Sequence, residues 1–185
     1  MSFDDIVLRY KNQVFHYILR MTGNVEEAQD LTQDVFVRSF VGFESFRSQS
    51  SFTTWIMRIA TNICIDAHRK KMRKETAFGG PAASLEEQTL CGHADIAGST
   101  PNIFGVKTDS DPFETVAADE LDTRLQEALE QLPPKMRAVI VLHDIHSLTY
   151  QDIAGIQCCP VGTVKSRLFN ARMQLRVLLK DYVQI

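Results

Sequence analysis

Apolar residues along this chain recur at helical spacing, and neither a convincing strand nor an internal repeat is found. From about residue 4 to about residue 21, Ile6, Tyr10, Val14, Tyr17 and Met21 share one face, and Gly23 ends the run. Asn24 is the expected N-cap of a second helix, with Glu26 and Glu27 at its positive end and Ala28, Leu31, Val35 and Ser39 turned inward. A loop rich in Phe, Ser and Gln runs from Val41 to Ser50. A third helix begins near Ser51 and passes through Trp55 into the basic end Arg69-Lys-Lys-Met-Arg-Lys74. Residues 75–110 lose the period and hold five of the nine glycines, with Pro81 and Pro101, as expected of a linker. Asp111-Pro112 then reads as an N-cap followed by proline at the first helical position. Leu121, Leu125, Leu129 and Leu132 mark one helix, Pro133-Pro134 punctuates it, and Met136, Val139, Ile140 and His143 mark the next. The pattern predicts an all-α chain with two small helical domains, 1–74 and 111–185, joined by a flexible acidic linker over 75–110.

The last third reads as a helix-turn-helix. Thr149 with Asp152 three residues on is a capping box. Pro160 cannot continue that short helix but can open the next. In the second helix Val164, Leu168, Ala171, Leu175 and Leu178 are expected in the core, with Gly162, Lys165, Ser166 and Phe169 opposite them. An outward phenylalanine beside a lysine and a serine adds little to stability. In a major groove it can touch a thymine methyl while the lysine and serine reach base edges. The pattern points to DNA reading.

Composition narrows the classes further. No apolar run is long enough to span a bilayer, and the acidic start Met-Ser-Phe-Asp-Asp lacks the order of a secretory signal, so no membrane insertion is expected. Cys64, Cys91, Cys158 and Cys159 show no framework spacing, which suits a reduced, cytoplasmic setting. The net charge of −3 divides into +3 for residues 1–74, −4 for 75–110 and −2 for 111–185. Such a chain has local basic surfaces but no general attraction for DNA, so a partner is expected to supply most of the grip. No nucleophile–base set and no phosphate-binding glycine loop is present, and neither enzymatic activity nor a cofactor is expected.

Three motifs in order, Asp30-Leu-Thr-Gln-Asp-Val-Phe36, Ser45-Phe-Arg47 with Thr54-Trp-Ile-Met-Arg-Ile-Ala-Thr-Asn62, and Pro160-Val-Gly-Thr-Val-Lys-Ser-Arg167, carry a resemblance over nearly the whole chain. It resembles a bacterial sigma factor of the extracytoplasmic-function group of the sigma-70 family. The resemblance implies an initiation factor that binds RNA polymerase core, directs it to promoter DNA, helps melt the −10 region and is held in check by an anti-sigma factor. It assigns core docking to Asp30, Gln33 and Asp34, which share a helix face. It places Phe46 and Asn62 in the pocket for a flipped −10 base, which Gly42 lets approach, with Arg47 supplying charge to the same loop. Arg69, Lys70, Lys71 and Arg73 would hold phosphates upstream. Lys165, Ser166 and Phe169 would read the −35 element, with Arg167 and Arg172 on phosphates, and Pro160, Val161, Gly162, Thr163 and Asn170 complete that surface. Asn170 departs from the basic residue expected there. The linker would thread the polymerase cleft and RNA exit path.

Plainer readings stand beside these. The acidic face of the second helix can be simply solvated, and Phe43, Phe52 and Trp55 suit a small core. An autonomous helix-turn-helix regulator would need a dimerisation helix or ligand pocket before residue 111. A metal or redox role would draw on His143 and His146, Cys158 and Cys159, or Cys91 and His93, although their spacing lacks the paired form of a zinc site, and no metal is assigned.

Overall fold

The computed structural model of the chain describes residues 3–43, 46, 51–76 and 122–180. Its elements are α1 (Phe3–Thr22), α2 (Val25–Phe43), α3 (Phe52–Thr76), α4 (described over 122–130), α5 (Pro134–Ile140), a π-helical turn (Val141–Ile145), α6 (Tyr150–Gln157) and α7 (Val161–Leu178). Among the described residues there is no strand. The start expected at Asp111-Pro112 and most of the linker lie outside them.

Local chemistry sets the boundaries. Gly23 closes α1 at φ +71°, a conformation most side chains avoid, and its N–H reaches the Leu19 carbonyl at 2.8 Å. Asn24 caps α2, its Oδ1 accepting from the Glu27 N–H at 2.9 Å. Ser51 does the same for α3, accepting from the Thr54 N–H at 3.1 Å. Pro134 opens α5, where its missing N–H costs nothing.

Helices α1 to α3 pack together and share one apolar core with α4 to α7. Tyr17 lies at the centre. Its hydroxyl shares a 2.8 Å hydrogen bond with Thr61 on α3, and the buried His146 ring meets it edge-on at 5.7 Å. The buried Arg137 guanidinium donates to the carbonyls of Met21, Glu130 and Leu132, tying the end of α1 to the start of α5. These charge-assisted bonds offset a burial that lowers its pKa. Thr54 on α3 donates to Asp152 on α6 at 3.2 Å, and Arg20 pairs with Asp122.

Two expectations need correction. Leu178, assigned to the core face of α7, is 36% exposed, and Leu179 rather than Leu178 packs against the core at the helix end. His143, placed on the apolar side of a continuous α-helix, stands half-buried at the surface. The backbone widens here, the His146 N–H bonding the Val141 carbonyl five residues back at 3.0 Å. The extra residue changes the phase, so His146 takes the buried position instead.

Candidate nucleic-acid interface

The helix-turn-helix is built from α6, a tight turn and α7. Thr149 Oγ1 accepts from the Asp152 N–H at 3.1 Å while the Thr149 N–H donates to Asp152 Oδ2 at 3.3 Å, so the expected capping box is present. Helix α6 stops at Cys158, which takes a left-handed backbone at φ +49°. Pro160, extended at ψ 148°, then redirects the chain into α7. Val164, Leu168, Ala171 and Leu175 anchor α7 inward.

Opposite that anchor, Gly162, Lys165, Ser166, Phe169, Asn170 and Arg172 all face outward. The Phe169 ring is 66% exposed, a large apolar surface left open by its neighbours among the described residues. Pro160 is exposed, while Val161 and Thr163 are half-buried at the helix entry. Gly162 has open space where a Cβ would stand, so packing does not demand a glycine there. Ser166 donates to the Thr163 carbonyl at 3.0 Å, leaving its oxygen able to accept.

Two arginines expected on phosphates are engaged inside the fold. Arg167 is half-buried and donates to Gln157 Oε1 at 2.7 Å and toward Cys159 Sγ at 3.6 Å, clasping α7 to the end of α6. Gln157 in turn donates to the Lys135 carbonyl at 2.9 Å. Arg172 offers Nε at 3.1 Å and Nη2 at 2.5 Å to the two carboxylate oxygens of Asp144. Burial alone would raise the Asp144 carboxyl, but hydrogen bonds from Arg172 and His143 hold it below the usual carboxylate range. The His143 ring stacks on Tyr150 at 4.9 Å, and Lys165 Nζ lies 5.9 Å from the same ring's centroid. The sequence reading missed Asp144 and Tyr150; no period marks them. Among the described residues no cluster of three or more potential ligands could hold a metal, and His146 is buried against Tyr17.

The first helices carry two further surfaces. Asp30, Gln33 and Asp34 are exposed on α2, and the face continues into Val37, Phe40 and Val41, which are 64%, 64% and 78% exposed. These three were also missed, although all fall off the buried period of Ala28, Val35 and Ser39. At the end of α2, Phe46 is half-buried, 5.6 Å from the Phe52 ring and 5.1 Å from Trp55. Gly42 lies under the same indole; a Cβ there would stand 3.2 Å from Trp55 Cζ2. Its observed service is this close approach. Trp55, Asn62 and Arg69 follow at seven-residue intervals and so share a side of α3, with Asn62 exposed. Arg69 pairs with Asp66 at 3.8 Å, and Lys70, Lys71, Arg73 and Lys74 project at the helix end. Arg47 lies outside the described residues.

Both groups of helices are similar to known proteins. The family model for Sigma-70 region 2 matches residues 6–74, and that for Sigma-70, region 4 matches residues 122–175. Over 180 residues the chain is 37% identical to ECF RNA polymerase sigma factor SigW of Bacillus subtilis (strain 168), covering 97% of this chain and 90% of that one. It is 30% identical over 171 residues to the ECF RNA polymerase sigma-E factor of Escherichia coli (strain K12), covering 92% of this chain and 83% of the relative. The fold is shared with the sigma factor RpoE of Bartonella quintana, solved in complex with the anti-sigma factor NepR, at a TM-score of 0.68, 23% identity and 98% coverage of both chains.

Proposed function

Since the chain belongs to the extracytoplasmic-function group of the sigma-70 family, we propose that it binds the core of bacterial RNA polymerase and directs it to promoters with matching −35 and −10 elements. In this reading residues 1–74 dock on polymerase and open the −10 region, 75–110 form the linker, and 111–185 read the −35 duplex. Asp30, Gln33 and Asp34 make the polar part of the docking face, and the bare Val37 and Val41 beside them extend it. Phe46, Asn62 and the basic end of α3 receive the melted strand, with Gly42 and Arg47 in the adjoining loop. Lys165, Ser166 and Phe169 meet base edges, and Arg172 meets a phosphate through the guanidinium edge that Asp144 leaves uncovered. Arg167 acts mainly by holding the turn.

The observation that carries the proposal is the outward face of α7, where a 66% exposed phenylalanine stands between Lys165, Ser166 and Arg172 with nothing among the described residues to cover it. Charge balance supports dependence on polymerase: at a net −3 the chain alone has little general affinity for duplex DNA. The factor performs no chemistry of its own and works in the cytoplasm with the polymerase. No helix among the described residues is long and apolar enough to cross a membrane. By resemblance to the group, an anti-sigma factor is the partner that restrains it.

The test is reconstitution. Added to core polymerase, the protein should select one set of start sites sharing two spaced elements, and should shift promoter DNA poorly without polymerase. Asp34→Arg should lose co-purification with core while keeping wild-type helicity and melting temperature. Start sites no different from those of core alone, or tight promoter binding by the isolated protein, would overturn the proposal in favour of an autonomous regulator.

A further inference from the structure

The polar end of α7's outward face is linked side chain to side chain with residues outside α7. Arg172 gives two hydrogen bonds to Asp144, Asp144 Oδ1 lies 2.7 Å from His143 Nδ1, His143 stacks on Tyr150 within 15° of parallel, and Lys165 Nζ sits near that ring. We infer that the π-helical turn Val141–Ile145 and Tyr150 form a positioning layer that sets Lys165 and Arg172 before DNA arrives. This rests on the reading of α7 as the −35 helix. It adds that promoter preference depends on residues that need not touch a base.

The geometry follows from the widened turn. A continuous α-helix would carry His143 toward the core, as its spacing from Met136 and Ile140 predicts. The extra residue turns His143 and Asp144 toward α7 and sends His146 inward. Lysine and arginine are long and rotamer-rich, so ordering them beforehand reduces what is lost on binding. The two-point grip of Asp144 fixes the plane of the Arg172 guanidinium, which a single contact would leave free to turn. The Tyr150 ring offers its face to Lys165 and is itself held by His143 from the neighbouring turn.

Asp144 gives the inference its sharpest edge, because electrostatics and positioning predict opposite signs. A carboxylate near a phosphate chain is repulsive, so if charge alone mattered, Asp144→Asn would strengthen promoter use. If the carboxylate sets Arg172, the same change weakens use of every −35 sequence alike. The experiment measures transcription by the reconstituted holoenzyme across a randomised −35 library, for wild type, Asp144→Asn, Tyr150→Leu, Tyr150→Phe, Lys165→Ala and the Tyr150→Leu/Lys165→Ala double variant. Tyr150→Leu should lower discrimination at the base pair read by Lys165 by about two- to fivefold, the scale of an exposed cation–ring contact. Tyr150→Phe should retain it, and the double variant should be no worse than Lys165→Ala alone. Should Tyr150→Leu also lower the melting temperature, His143→Ala, which keeps the tyrosine, must reproduce the same narrow change in preference. A library profile untouched by Lys165→Ala would refute α7 as the reader. A profile altered by Lys165→Ala but not by Tyr150→Leu, or promoter use raised by Asp144→Asn, would overturn the positioning layer alone.

Discussion

Replacing His146 with leucine should abolish most of the protein's loss of stability in mild acid. The ring is 2% exposed and lies edge-on to Tyr17 where α1 meets the π-helical turn. Burial disfavours the imidazolium, and the nearby His16 adds to the effect, so its pKa falls from 6.5 to about 4. The folded state therefore prefers neutral His146, while the unfolded chain takes up a proton near pH 6.5. Its contribution to stability is complete above that value and declines as pH drops toward about 4. Between those limits the loss is about 2 kcal/mol by about pH 5 and about 3 kcal/mol in all. Three other displaced groups stay out of this window. Burial lifts the Tyr17 phenol upward and pushes the Cys64 thiol up to about 12, while Asp144 is held below the usual carboxylate value. The assay is urea unfolding followed by circular dichroism at several pH values between about 7 and about 5. The wild type should lose stability steeply over that range, and His146→Leu, of similar volume and without a charge to gain, should lose much less. Parallel pH profiles for the two proteins would refute the assignment of the proton uptake to His146.

Two further substitutions test single elements. Phe46→Ala should weaken open-complex formation by about 1–3 kcal/mol if a base packs on the ring. A pre-melted template should rescue part of that, whereas an equal defect on both templates with a lower melting temperature would assign the ring to the cluster with Phe52 and Trp55. Thr149→Ala should cost about 1 kcal/mol in a thermal melt by removing the cap of α6, and an unchanged melting temperature would contradict that role.

Elements governed by local chemistry were legible in the sequence. The stripe of α1, the cap at Asn24, the capping box at Thr149 and the outward placement of Lys165, Ser166 and Phe169 all follow from spacing within a few residues. What escaped depends on distant partners or on a change of helical phase. A periodic reading assumes a constant turn, so the π-helical step at 141–145 put His143 on the wrong side and hid His146 as a core residue. Arg137 carries no motif, and its three carbonyl partners come together only when the two groups of helices meet. Arg167 looked like any cation on a DNA-facing helix; its turn inward depends on Gln157, which is itself anchored to Lys135. Of the proposed site, α7 was visible and the side chains outside it that contact it were not.

The bond from Thr54 to Asp152, together with Tyr17 and Arg137, makes the seam between α1–α3 and α4–α7 part of the core, so the two groups of helices hold to each other through their own side chains as well as through the segment 77–121 that joins them in sequence. A proteolytic cut within that segment would leave two fragments that co-migrate, the peptide connection adding only effective concentration. Any partner that needs the two groups of helices apart must therefore supply the free energy of wetting that seam. A partner that clasps them together would draw on an association the chain already has, and its affinity would exceed what its own contacts explain.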